Sequence, residues 1–209
     1  MAELTGEVID NRTKVIPNFN ITPFDNVPIV VLNGSGGVGK DEFVKAMSQY
    51  VKIYNYSTID TYKKIAKDCF NWDGVKDEKG RRLLSDLKIA AIRYNNAPIE
   101  ELKEVYNDVN KCCLAEVFIC MCRDIEEIEK IKSEFYNVKI ALVTNDNITP
   151  ILSNVADKNV LEAKYDVIID NSGSLEQLSA SAYTFLDEVV FPKKQQDTFM
   201  NGDDNGDAY

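Results

Sequence analysis

The sequence predicts an α/β fold, a three-layer domain in which helices cover both faces of a five-stranded parallel sheet. Three observations carry that expectation. Short apolar runs, PIVVLNG from Pro28, AEVFICM from Ala115 and VKIALV from Val138, have the length and β-branched content of strands buried on both faces. Between them, apolar residues recur at helical spacing. With 209 residues the chain is long enough for one sizeable core and short for two.

Residues 1–27 are polar, contain Pro17 and Pro23 and lack sustained periodicity, so they read as an irregular arm. Asn33-Gly34 ends the first predicted strand. Phe43, Val44, Met47, Tyr50 and Val51 mark the helix after it, and Lys52-Ile53-Tyr54-Asn55-Tyr56 alternates as a second strand does. Ser57-Thr58-Ile59-Asp60 has the spacing of a capping box and predicts a helix from Ser57 to about Cys69. A polar connection, NWDGVKDEKGRR, follows. Leu84, Leu87, Ala91 and Tyr94 form one helical face, Asn95-Asn96-Ala97-Pro98 interrupts it, and Ile99, Leu102, Val105, Tyr106 and Val109 form another. Residues 71–110 thus read as a helical insertion placed to bind a substrate. Ile125, Ile128, Ile131 and Phe135 mark the helix between the third and fourth strands. Residues 144–165 are polar and lid-like, Val167-Ile168-Ile169 is the fifth strand, and Ser174 with Gln177 opens the last helix. The domain spans residues 28–190, and residues 191–209 read as a disordered acidic tail.

Composition removes several functions. The chain has no histidine, so His-dependent triads and His metal centres are excluded. Its five cysteines, Cys69, Cys112, Cys113, Cys120 and Cys122, lack the paired C-x-x-C spacing of a zinc site and fit a reducing, cytoplasmic setting. A formal net charge of -10 opposes nucleic-acid phosphates. No apolar run approaches the roughly 20 residues that span a bilayer, and the N-terminus lacks the pattern of a signal peptide. The residues are compatible with a homodimer and do not specify one.

The run Gly34-Ser35-Gly36-Gly37-Val38-Gly39-Lys40 satisfies G-x-x-x-x-G-K, directly after a buried strand and directly before an amphipathic helix. Glycines let the backbone turn its N-H groups toward one centre, the helix start adds positive potential, and a lysine there bridges the outer phosphates of a nucleoside triphosphate. The plain alternative is a glycine-rich turn without a ligand. Asp41 stands where Ser or Thr places a hydroxyl on Mg²⁺. It reads as a Mg²⁺ ligand or, like Glu42, as an acidic residue suited to a helix start.

With Asp41 after the lysine, the loop resembles that of the phage-type deoxynucleoside monophosphate kinases, within the P-loop nucleotide kinase superfamily. KDEKGRRLLSDL from Lys76 is similar to the arginine-bearing substrate helix of that group, CRDIEEIEKIKSEF from Cys122 to its strand-then-helix arginine segment, and YDVIIDNSGSLEQL from Tyr165 to its closing strand and last helix. The likeness covers residues 28–190. It implies a three-layer P-loop NTPase fold, ATP and Mg²⁺ as cofactors, and a small nucleotide, most plausibly a (deoxy)nucleoside monophosphate, as acceptor.

Phosphoryl transfer needs positioned cations, and the chain has only five arginines. Arg81 and Arg82 read as holders of an acceptor phosphate or as a solvated helix start. Arg123, at the carboxyl end of the third predicted strand, reads as a transition-state cation or as the helix partner of Glu127. Asp60 reads as an acceptor-orienting carboxylate or a helix cap, Asp124 as a Mg²⁺ ligand through water or a first-turn residue. Trp72, and less so Tyr54 and Tyr56, reads as a base platform or as core. The lid-like segment contains no arginine, only Lys158 and Lys164. That gap supports a second reading, a catalytically weak nucleotide-binding module that senses or sequesters a nucleotide or presents a partner surface. Thr144-Asn145-Asp146-Asn147 lacks the Asn-Lys-x-Asp arrangement of a GTPase.

Overall fold

The computed structural model describes residues 6–12, 19, 26–149, 160 and 163–192; most of the expected arm, much of the lid-like segment with Lys158, and the tail from residue 193 lie outside them. In chain order the elements are β1 (Glu7–Ile9), β2 (Ile29–Asn33), α1 (Lys40–Met47), β3 (Ile53–Ser57), α2 (Asp60–Phe70), α3 (Glu78–Asn95) and α4 (Ala97–Lys111). There follow β4 (Val117–Met121), α5 (Ile125–Glu134), β5 (Val138–Thr144), β6 (Val167–Asp170) and α6 (Leu175–Phe185), which runs on into a π-helical turn, Leu186–Val190.

The fold is α/β, built on a mixed six-stranded sheet in the order β1-β3-β4-β2-β5-β6. All five strands expected from the sequence form, and they pair in parallel. The sheet is nevertheless neither five-stranded nor wholly parallel. β1, from the arm expected to be irregular, pairs antiparallel with β3 and sets Val8 opposite Tyr54. A three-residue strand is too short for alternation to be legible. It forms because β3 otherwise leaves an open row of backbone groups. The Gly6 N-H donates to the Tyr54 hydroxyl at 3.2 Å, and Arg12 bridges Asp10 and Glu116, so this arginine is occupied at the sheet edge.

Burial follows the two-residue period of the strands. Val30, Leu32, Ile119 and Val143 face a core completed by Phe43 and Met47 of α1 and Leu178 and Phe185 of α6. Ile29, Val31, Phe118 and Ile140 face the opposite core, completed by Leu102 and Val105 of α4 and Ile128 and Ile131 of α5. Tyr54 and Tyr56 belong to this second core, each 1% exposed. α2 and α3 form a smaller cluster around Tyr62, Ala66 and Leu84.

Two local expectations are corrected. Ser57 does not open α2; it pairs with Met121 as the last residue of β3, and Ile59 precedes the helix without a side-chain cap. Ladder pairing satisfies the backbone that a capping box would otherwise have served. Tyr94, placed by its spacing on the buried face of α3, is 87% exposed, because that helix buries only Gly80 and Leu84. The expected break does fall between α3 and α4, where Asn96 takes a left-handed conformation and Pro98 sits in the first turn of α4.

Parallel pairing brings the carboxyl ends of β2, β3, β4, β5 and β6 to one edge. From β2 the chain passes over to β3, beyond β4, whereas from β4 it passes to β5 on the far side of β2. The crossovers diverge between β2 and β4, which is where α/β sheets open a crevice for ligands. Among the described residues no helix is long and apolar enough to cross a membrane.

Candidate functional site

The glycine loop fills one wall of that crevice. Asn33, the fully buried last residue of β2, accepts the Gly34 N-H on Oδ1 at 2.7 Å and donates from Nδ2 to the Tyr165 hydroxyl at 2.9 Å. Gly34 has φ +145, and a Cβ there would lie 2.5 Å from the Val143 carbonyl oxygen, so the chain leaves β2 by a path closed to side chains. Ser35, Gly36, Gly37 and Val38 carry it round to Gly39, which takes a left-handed conformation and starts α1 without a side-chain cap. The first N-H groups of α1 consequently face outward with no side-chain acceptor from the cap position. Lys40 lies back across the loop and donates to the carbonyls of Gly34 at 2.6 Å and Ser35 at 2.9 Å.

Asp41 and Glu42 are exposed in the first turn of α1, and Glu42 pairs with Lys45 at 2.8 Å, the role of a helix-start residue. Asp124 caps α5: its Oδ1 accepts the Glu127 N-H at 3.0 Å. Among the described residues no group of three metal-ligating side chains assembles, so Asp41 and Asp124 are candidate ligands only as single carboxylates. Mg²⁺ is commonly held that way, by one or two carboxylates, with phosphate oxygens and water completing its octahedron.

At the same edge of the sheet, Lys63 lies in the first turn of α2 after β3, and Arg123 follows β4. Lys76 is solvent-exposed as a residue, yet its amine is held below the ordinary lysine pKa, by desolvation first and then by the charges of Lys63, Arg123 and Arg81, with Asp60 acting in the opposite sense. The Lys76 amine therefore feels cations from α2, α3 and the β4–α5 junction. Mutual repulsion of this kind is relieved by an anion. Arg81 Nε donates to the Lys76 carbonyl at 2.9 Å, which ties the connection to α3, and Asp60 pairs with Lys63 at the start of α2. Asp60 is thus part of the group, as a counter-charge.

Arg82 is not in it. Its side chain is 82% exposed and lies 3.9 Å from Asp86, because adjacent helical residues diverge by about 100° around the axis. Trp72 has a packing role: its indole N-H donates to the Val75 carbonyl at 2.9 Å, and its ring lies against the cluster of Tyr62, Ala66 and Leu84.

Beneath the cations lies a buried polar group that the sequence reading missed. Lys88 Nζ lies 2.6 Å from Glu127 Oε2 and 2.8 Å from Thr58 Oγ1, and Thr58 donates to the same carboxylate at 3.2 Å. The Cys122 thiol also donates to it, at 2.8 Å. Burial would lower the Lys88 pKa, but the Glu127 carboxylate outweighs it and the net direction is up. The Cys122 thiol is pushed well up by burial and then by Glu127, so it is no nucleophile. A signal existed: Lys88 follows Leu84 by four residues and Glu127 precedes Ile131 by four, each a charge on the apolar face of its helix.

Compared with known proteins, the chain matches no family model and no curated sequence.

Proposed function

We propose that this protein is an ATP- and Mg²⁺-dependent phosphotransferase of P-loop nucleotide kinase architecture, acting on a nucleoside monophosphate. The observation that carries the reading is a glycine loop and several cations that follow neighbouring strands at one edge of the sheet. The glycine loop and Lys40 follow β2, and Lys63, Lys76, Arg81 and Arg123 gather beyond the ends of β3 and β4. Two anionic groups brought together there are the two partners of a phosphoryl transfer.

In this reading Lys40 exchanges its bonds to the Gly34 and Ser35 carbonyls for phosphate oxygens, and the loop N-H groups orient the donor. Arg81 and Lys76 hold the acceptor phosphate. Arg123, at the end of β4, faces the charge that spreads over the transferring group. Mg²⁺, held through Asp41 and water, with Asp124 as the second carboxylate candidate, would neutralise the donor phosphates. The five cysteines are all free thiols, which fits a cytoplasmic setting.

A second reading, a nucleotide-binding module with little turnover, draws on one observation: residues 144–165 contain no arginine to close over the donor. One experiment separates the two. Each of the common nucleoside and 2′-deoxynucleoside monophosphates is incubated with Mg²⁺-ATP and the full chain, and ADP release is followed beside thermal shift. Turnover with at least one acceptor is expected. Stabilisation by nucleotides without turnover would select the binding module, and no stabilisation by any nucleotide would end both readings.

A further inference from the structure

Lys88 and Glu127 bind neither phosphate wall directly, but each shares an element with one of the arginines. On α3, Arg81 and Lys88 are seven residues apart, two turns along the same face. Arg123 and Glu127 bracket the N-cap and first turn of α5, a turn fixed by the Asp124 cap. The buried ion pair therefore joins the helix that carries Arg81 to the segment that carries Arg123. Thr58, just past β3, bonds to both members of the pair, so the bridge is fastened to the sheet as well.

The Lys76 amine carries the field of Lys63, Arg123 and Arg81, so an anion bound beside it is favoured by cations from both segments. Lys88 and Glu127 attract at 2.6 Å with side chains 14% and 4% exposed, where solvent screens little. From this geometry, and resting on the reading of the cation group as an acceptor-phosphate site, we propose that Lys88 and Glu127 are positioning residues whose ion pair sets the separation of Arg81 and Arg123. Because the pair sums to zero charge, its effect on anion affinity is geometric and not a matter of field strength. Glu127 Oε1 is buried with no hydrogen-bond partner among the described residues, so the contacts of this carboxylate converge on Oε2.

The test uses a replacement that removes both charges together. Lys88→Met alone strands a buried carboxylate and weakens the fold, whereas Lys88→Met/Glu127→Leu leaves net charge unchanged and an apolar pair in place. The full chain is titrated calorimetrically with inorganic phosphate, with each 2′-deoxynucleoside monophosphate and with ATP. The double variant is expected to bind the monophosphates about tenfold or more weakly and ATP as the wild type does. Arg81→Ala should do the same, and combining it with the double variant should add little further loss, since both act on one contact. Lys88→Arg, which keeps charge and fold but changes length, should weaken the monophosphates measurably. Wild-type monophosphate affinity in the double variant and in Lys88→Arg, with Arg81→Ala impaired, overturns the positioning role and leaves the acceptor site standing. No effect of Arg81→Ala on monophosphate binding overturns the site itself, and the positioning role with it.

Discussion

Asn171 Nδ2 donates to the Val38 carbonyl at 2.9 Å and so fastens the turn after β6 to the tip of the glycine loop. The same residue is held from both sides, its N-H on the Thr144 carbonyl at 2.8 Å and its own carbonyl accepting from Asn145 Nδ2 at 2.7 Å. Gly39 completes the fit: a Cβ there would fall 2.0 Å from Asn171 Nδ2, on a backbone with φ +91. The loop is thus preorganised by its neighbour strands as well as by its glycines.

Gly39→Ala is expected to lose stability by about 1–3 kcal/mol, from the left-handed backbone together with the clash. Asn171→Ala should cost about 1 kcal/mol for its hydrogen bond and reduce ATP affinity by loosening the loop. The double variant should recover the clash but not the backbone strain, and so be less destabilised than the sum. Urea denaturation checks this; strict additivity would mean that the two residues do not meet.

Lys40→Ala is expected to abolish Mg²⁺-ATP binding. It also removes two hydrogen bonds to the Gly34 and Ser35 carbonyls, so a loss of about 1–2 kcal/mol in stability should accompany it, far less than unfolding requires. Titration of the variant with Mg²⁺-ATP is decisive. Unchanged affinity would remove the phosphate loop from the account.

How much of this was legible in the sequence differs by residue. β2, β4 and β5 were, because strands covered on both faces must be apolar without interruption, and the glycine loop was, because its pattern is local. β1 was not, since its three residues gain their place from the open edge of β3. Arg123 could be read as a cation beside a predicted strand end, and Arg81 as one at the start of an inserted helix. Lys63 and Lys76 could not be joined to them, because their convergence depends on how α2 packs on α3. Arg82 separates from Arg81 only once the helix phase is known. Lys88 and Glu127 escaped because each looks like one more surface charge until its apolar helix neighbours are counted.

Asp41→Asn tests the metal. If Asp41 ligates Mg²⁺, the variant binds ATP more weakly with Mg²⁺ present and equally or more tightly with EDTA, where loss of a carboxylate near phosphate is favourable. Equal weakening in both conditions would assign Asp41 to the start of α1 alone.

If the cations around Lys76 form the proposed acceptor site, Lys76 gives it a pH dependence. Its pKa lies below the ordinary 10.5 because the charged form is disfavoured by desolvation and by Lys63, Arg123 and Arg81. Below that lowered pKa the charged amine costs the free fold stability, and the cost fades as pH rises through it. An anion favours the charged amine, so monophosphate affinity should begin to fall below the pH at which an ordinary lysine titrates. Lys76→Arg remains charged and should stay flat there. The ratio of the two affinities, measured by calorimetry as pH is raised toward the ordinary lysine value of 10.5, cancels other titrations. A constant ratio would place Lys76 outside the site.

Arg123 carries the argument from binding to catalysis. It follows β4 directly, beside the crevice between β2 and β4, and its charge reaches the same field as Arg81 and Lys76. Residues 144–165 supply no arginine, so in the proposed reaction the transferring phosphoryl would be stabilised from elsewhere, and Arg123 follows β4 at the edge of the sheet that also bears the loop. A group acting mainly in the transition state lowers kcat when removed and leaves donor affinity alone. Arg123→Ala should therefore reduce kcat by about 100-fold or more with the ATP Kd unchanged. Arg123→Lys should recover only part of the loss, because an ammonium cannot reproduce the planar two-point contact of a guanidinium. Arg82→Ala, its neighbour in composition but 82% exposed beside Asp86, should leave both constants near wild type. Steady-state kinetics on the best acceptor, with ATP affinity measured separately, decides the matter. Turnover that survives Arg123→Ala would mean that the transition-state cation lies in another part of the chain.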